Sequence, residues 1–273
     1  MDFAMTDEQE LLLESVREFC DRYFTEDVIK EMYETGDMPD EIAEAYRDAG
    51  FGLMGIPEEY GGIPCDKVTL GMMIEELYHS SGCNHILYQN SLTAFDIVEF
   101  GTPEQIQKYM DAYMETGWPL CSLSISEPGA GSDNRNMSCT AKKQDDGTYR
   151  LNGQKTWVTM GAKLPYTIVV AKDEDPSREN DKMSLWMIEM DRQGVSTAGL
   201  HKIGQQCIPF CEVYFRRRGA DGRGSRRHAG RGLYDGHEEF RGGACSAGCR
   251  AAWPRSGRHG RRGDVRQPCL LYT

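Results

Sequence analysis

Two short segments carry the residue types that could do chemistry. The first, Ser124-Ile125-Ser126-Glu127-Pro128-Gly129-Ala130-Gly131-Ser132-Asp133, is packed with small residues and follows an alternating apolar stretch. Its proline and two glycines let a backbone approach a ligand closely, and exposed N–H groups beside serine hydroxyls suit a polar ring edge or a phosphate. The spacing is not that of the dinucleotide fingerprint, and no βαβ unit surrounds it. By itself the segment reads as a glycine-rich surface loop. The second segment is Asn152-Gly153-Gln154-Lys155-Thr156-Trp157-Val158-Thr159-Met160-Gly161. Here a turn leads into a strand with Trp157 and Thr159 on one face. An indole can cover a flat conjugated ring while a neighbouring hydroxyl bonds its edge. Taken alone, Trp157 reads as a core aromatic.

The elements that must position these segments change character along the chain. Up to about residue 115 the pattern is helical. Thr6 and Gln9 form a capping box, with Asp7 and Glu8 at the positive end of the helix dipole. Leu12, Val16, Phe19, Cys20 and Tyr23 then recur at three- and four-residue steps. Pro39 opens a helix over 40–49 that Gly50 should stop, and residues 55–62 read as a loop. Helices are expected over 68–78 and 86–100. Another runs from Pro103 to about 114, opened by Thr102-Pro103-Glu104-Gln105. After Trp118 the period becomes two. Strands are expected over 120–126, 138–143, 149–152, 156–159, 167–172, 183–190 and 211–215, with Asp145-Asp146-Gly147 as a hairpin turn. The fold class is therefore α+β, an all-helical domain (1–117) followed by a β-rich domain (118–215).

Composition narrows the function classes. The 273 residues carry a net charge of −12, which hides a split at Phe215. Residues 1–215 hold 17 Lys and Arg against 38 Asp and Glu, a charge of −21. Residues 216–273 hold 14 Arg, no Lys and 5 acidic residues, a charge of +9. An acidic body argues against nucleic acid as its partner. No apolar run approaches the ~18 residues of a membrane span, and the N-terminus has neither the basic start nor the apolar core of a signal peptide. The expected location is cytoplasmic. Ten cysteines at irregular spacing read as reduced, mostly buried thiols; Cys207-x3-Cys211 and Cys245-x3-Cys249 lack a second half for a zinc site, so no metal is expected.

Together the two segments resemble the acyl-CoA dehydrogenase family. The opening Thr6-Asp7-Glu8-Gln9, the stretch Ile56-Pro57-Glu58-Glu59-Tyr60-Gly61-Gly62 and Gly101-Thr102-Pro103-Glu104-Gln105 match in the family's order, so the resemblance covers residues 1–215. Met1-Asp2-Phe3, Leu87-Tyr88-Gln89 and Cys211-Glu212-Val213 lean towards crotonobetainyl-CoA reductase-like members. The resemblance implies an N-terminal helical domain, a β-barrel-like middle domain and a C-terminal four-helix domain. It implies FAD as cofactor, an acyl-CoA substrate, an electron-transfer flavoprotein or similar electron partner, and a homotetramer or homodimer. Carried over residue by residue, Leu123, Ile125, Ser126, Gly131 and Ser132 would contact the flavin, with Ser126 near the ring edge and Ser132 reaching the CoA moiety. Trp157 and Thr159 would form the second flavin contact. The implied reaction is α,β-dehydrogenation of an acyl-CoA thioester or its reverse. The family's base is a glutamate in the C-terminal domain, so no catalytic residue is assigned in 1–215.

Residues 216–273 resemble neither the family nor any motif. They read as translation in a shifted frame. Arg216-Arg217-Arg218 written CGA CGA CGT becomes Asp-Asp-Val one base later. With suitable codons the same offset turns residues 233–244 into a sequence resembling the start of the missing helical domain. On this reading the segment is a disordered Arg/Gly-rich tail, the C-terminal domain is absent, and the chain is inactive. His228, His237 and His259 are then no ligands, nor are Glu238 and Glu239 a base. The competing readings are a non-catalytic flavin- or CoA-binding module, or one that pairs with an intact paralogue, and a nucleic-acid binder working through the tail.

Overall fold

The computed structural model describes residues 4–145, 149–173 and 183–215. The centre of the expected turn at Asp145-Asp146-Gly147 lies outside them, as does everything expected of the tail.

Among the described residues six α-helices come first: α1 (Asp7–Tyr23), α2 (Glu26–Thr35), α3 (Asp40–Asp48), α4 (Lys67–Ser81), α5 (Leu87–Phe100) and α6 (Pro103–Thr116). Their starts follow from side-chain chemistry. Both expected capping boxes form, Thr6 with Gln9 and Thr102 with Gln105. Asp66 accepts from the N–H groups of Val68 and Thr69 to open α4. Helix α2 has no counterpart among the expected elements. Thr25 caps it and Gly36 ends it, but Met32 is its only buried residue, too little for a readable apolar face. Helix α3 ends at Asp48, and Gly50 follows in the left-handed conformation.

Seven strands follow among the described residues: β1 (Cys121–Ser124), β2 (Thr140–Lys143), β3 (Tyr149–Thr159), β4 (Tyr166–Asp173), β5 (Met183–Glu189), β6 (Val195–Leu200) and β7 (Phe210–Phe215). They make one curled sheet in the order β1-β4-β2-β3-β7-β6, with β5 on the other edge of β4. The two short strands expected over 149–152 and 156–159 are one continuous strand. Gly153, the expected break, pairs with Phe215 of β7. Strand β6 was not expected, because its middle four residues are exposed and show no alternation.

Apolar packing joins the two halves. Val16, Phe19, Met32, Tyr46, Met73 and Leu77 form the helical core, and Met160, Leu164, Cys207 and Ile208 from the β half pack into it. A second cluster sets Ala94, Ile97, Tyr109 and Tyr113 of α5 and α6 against Cys121 of β1 and Ile168 of β4. The sheet's own core contains Val158, Val169, Trp186, Val213 and Phe215. All seven cysteines among the described residues are free, and six are buried. Burial pushes the Cys20 thiol up to about 12 and those of Cys83, Cys139 and Cys211 up to about 11. These are packing residues.

Candidate functional site

The first chemistry-bearing segment leaves the sheet at the end of β1. Ser124 Oγ and Thr167 Oγ1 lie 2.7 Å apart and tie β1 to β4. Three residues later the chain turns sharply. The Glu127 N–H donates to the Ala130 carbonyl (2.9 Å) and the Ala130 N–H to the Glu127 carbonyl (3.1 Å), so Pro128 and Gly129 form the tip. Glycine and proline are what such a closure needs.

The turn is held from below by β3. The Thr156 N–H donates to the Ser126 carbonyl at 2.9 Å. The Lys155 ammonium donates to the Ile125 carbonyl at 2.9 Å and to Glu127 Oε1 at 2.8 Å. Both side chains of this ion pair are withdrawn from solvent, Lys155 at 0% and Glu127 at 2% exposure. The carboxylate also accepts from the Ser138 N–H, from Ser138 Oγ at 2.8 Å and from the Cys139 N–H at 2.9 Å. Burial pushes the Glu127 carboxyl up, but Lys155 and these donors outweigh it and hold it below its ordinary value of 4.5. Glu127 is thus ionised, fully engaged and inaccessible. Its work is to bind the Ser138 and Cys139 backbone N–H groups, and it has no free lone pair for a substrate proton.

Strand β3 departs from regularity at the same point. Lys155 pairs with Val213 and Val158 with Cys211, so three steps on β3 span two on β7. The extra residue is a β-bulge. Lys155 and Thr156 are consecutive and both buried, whereas Trp157 is 55% exposed. Trp157 has φ 59°, a left-handed conformation that bulky side chains rarely adopt. Thr159 is partly exposed, and Val158 between them is buried. The Trp157 ring meets the Phe210 ring edge-on at 6.5 Å, and Lys202 Nζ sits 5.1 Å over that ring.

Besides Thr159, partly exposed two residues beyond Trp157, the residues singled out in the sequence fall into three groups. Ser126 and Trp157 are brought together, since the bond from Thr156 to the Ser126 carbonyl leaves Trp157 one residue away. Gly131 and Ser132 lie exposed on the return limb of the turn. Leu123 and Ile125 are partly exposed but also pack inward, Leu123 against the α5–α6 cluster and Ile125 against the cluster of Ala130, Met137 and Val170. Sequence reasoning did not assign Lys155. The available signal was that Glu127 and Lys155 are the sole charged residues of 120–132 and 151–160 respectively.

This arrangement offers an exposed indole, the partly exposed residues Ser126 and Thr159, and an exposed glycine–serine limb. Such a surface can cover a flat ring, bond its edge and receive a polar tail. Two family profiles match the chain: "Acyl-CoA dehydrogenase, N-terminal domain" over residues 6–116 and "Acyl-CoA dehydrogenase, middle domain" over 122–217. The probable acyl-CoA dehydrogenase YdiO of Escherichia coli K12 is 37% identical over 214 residues, which is 78% of this chain and 55% of that protein. The acyl-CoA dehydrogenase of Slackia heliotrinireducens is 28% identical with a TM-score of 0.66, covering 79% of this chain and 55% of that one. The butyryl-CoA dehydrogenase of Megasphaera elsdenii is 27% identical with a TM-score of 0.64, covering 79% and 57%. The chain therefore spans little more than half the length of these relatives. Within that span, from the capping box at Thr6 to the last strand, it is a member of the acyl-CoA dehydrogenase family.

Proposed function

We propose that this chain carries the flavin-binding half of an FAD-dependent oxidoreductase acting on the α,β-carbons of an acyl-CoA thioester. The observation that carries the reading is the half-exposed Trp157 on a left-handed bulge, with Ser126 held beside it. A large aromatic in a strained backbone at the surface is where binding sites place one, not where cores do. FAD bound here would supply the acceptor for the β hydride. Trp157 would cover one face of its ring, and the Ser126 and Thr159 hydroxyls would bond its edge. Gly131 would lie against the flavin and Ser132 would reach the CoA portion, since a limb of small exposed residues lets a long polar group lie close.

Removal of the α proton needs a carboxylate held against the substrate in a dry site. Glu127 fails this requirement because Lys155 and three other donors occupy it. The family's base lies in the C-terminal helical domain, outside the span shared with the relatives. The acyl chain, the flavoprotein electron partner and the homotetramer or homodimer implied by the resemblance all belong to the whole protein. No helix among the described residues is long and apolar enough to cross a membrane.

The test is anaerobic mixing of the 273-residue chain and FAD with a panel of acyl-CoA thioesters, following flavin absorbance. No bleaching is expected from this chain, and bleaching is expected once a family C-terminal helical domain is fused in frame after Phe215. Bleaching by the unaltered chain that Glu127→Gln abolishes would contradict the reading. A fused protein that binds FAD yet is never reduced would favour a non-catalytic flavin module.

A further inference from the structure

Regular strand geometry creates a conflict at this site. Side chains two residues apart on a strand share a face, so Lys155 and Trp157 should be buried together or exposed together. Instead Lys155 is fully buried and Trp157 is 55% exposed. The bulge between Lys155 and Val158 resolves the conflict by adding one residue, which turns Lys155 inward and Trp157 outward. What draws Lys155 inward is the Glu127 carboxylate and the Ile125 carbonyl, 2.8 and 2.9 Å from its ammonium.

We propose that the buried Lys155–Glu127 pair is the positioning device of the flavin surface, setting the bulge that presents Trp157 and holding Ser126 against it. The proposal rests on the flavin reading above and goes beyond it in assigning a role to residues that would not touch the ligand. Stability alone is a weak reason for such a pair, because withdrawing two charges from water offsets much of their attraction, and apolar replacements of both partners are often neutral. An apolar pair could fill the same volume. It could not accept the N–H groups of Ser138 and Cys139 or donate to the Ile125 carbonyl. The two Lys155 bonds, at residues 125 and 127, flank the Thr156 N–H bond to the Ser126 carbonyl and tie the turn to the strand that carries Trp157.

A variant with one partner removed leaves an unpaired buried charge and risks not folding, so the test uses Lys155→Met beside the uncharged double variant Glu127→Gln/Lys155→Met in the full chain. Three quantities are read: the melting temperature, amide hydrogen exchange across 150–160, and the Kd for FAD by flavin fluorescence. The expected result is that the double variant melts within a few degrees of the parent while exchange at 155–157 rises and FAD binding weakens roughly tenfold, since loss of preorganisation weakens binding without removing a contact. Recovery of both melting and FAD affinity in the double variant would overturn the proposal, leaving the pair a packing element. Unchanged exchange at 155–157 would overturn it as well. If the unaltered chain binds no FAD, the flavin reading is what fails, and the exchange measurement alone upholds or overturns the pair's control of Trp157.

Discussion

Gly117→Ala should lower the melting temperature by about 5–15 °C. Two independent costs meet there. Gly117 ends α6 in the left-handed conformation, φ 70°, which is strained for any residue with a Cβ. An added Cβ would also fall 2.5 Å from the Ala43 carbonyl oxygen and 3.0 Å from the Glu44 nitrogen, both backbone atoms of α3. A flexible side chain could swing away, but a helix backbone cannot. The junction has few degrees of freedom, since Trp118 Nε1 donates to Asp40 at 2.6 Å and Arg47 donates to the Glu115 carbonyl at 3.3 Å. Strain and overpacking together amount to roughly 2–5 kcal/mol. Gly61→Ala is the matched control. Its φ is 78° but no atom lies within 4 Å of the added carbon, so it bears the conformational cost alone. Thermal melts followed by circular dichroism separate the two, and equal melting of both variants would show that α6 does not seat rigidly on α3.

Trp157→Ala should have its large effect on the ligand and a small one on the fold. Stacking an aromatic ring on a flat base contributes about 1–3 kcal/mol, so FAD affinity should fall roughly 10- to 100-fold. A buried aromatic truncated to alanine costs about 3–5 kcal/mol. At 55% exposure Trp157 has little packing to lose, and the apoprotein should destabilise by under ~1 kcal/mol. Apoprotein melting and flavin fluorescence titration on the same preparation test both halves. A melt lowered by more than about 5 °C with unchanged FAD affinity would make Trp157 a structural residue.

What could be read from the sequence was whatever local chemistry determines. Thr6 with Gln9 and Thr102 with Gln105 announced helix starts because capping joins residues three apart. Gly50 announced a stop because it must adopt a left-handed conformation. Helix α2 was not legible because a single buried methionine gives no periodicity, and β6 because its middle four residues are solvated and, among the described residues, it pairs only with β7. The site divides in the same way. Ser126, Ser132, Trp157 and Thr159 were selected by residue type and by resemblance to a family. That Trp157 and Thr159 share the exposed side was expected from simple alternation, and the structure reaches this result through a bulge that no period-two pattern encodes. The role of Lys155 depends on a partner 28 residues earlier, and such a contact exists only once β1, its turn and β3 have come together.

The central claim is that the turn after β1 and the bulge of β3 form one flavin-binding surface. Hydrogen exchange of the 273-residue chain with and without saturating FAD tests it most directly. The account predicts that protection rises together in 123–132 and 154–160, and that Trp157→Ala removes it from both at once. Protection confined to other parts of the chain, or protection of these two segments that survives Trp157→Ala unchanged, would contradict it.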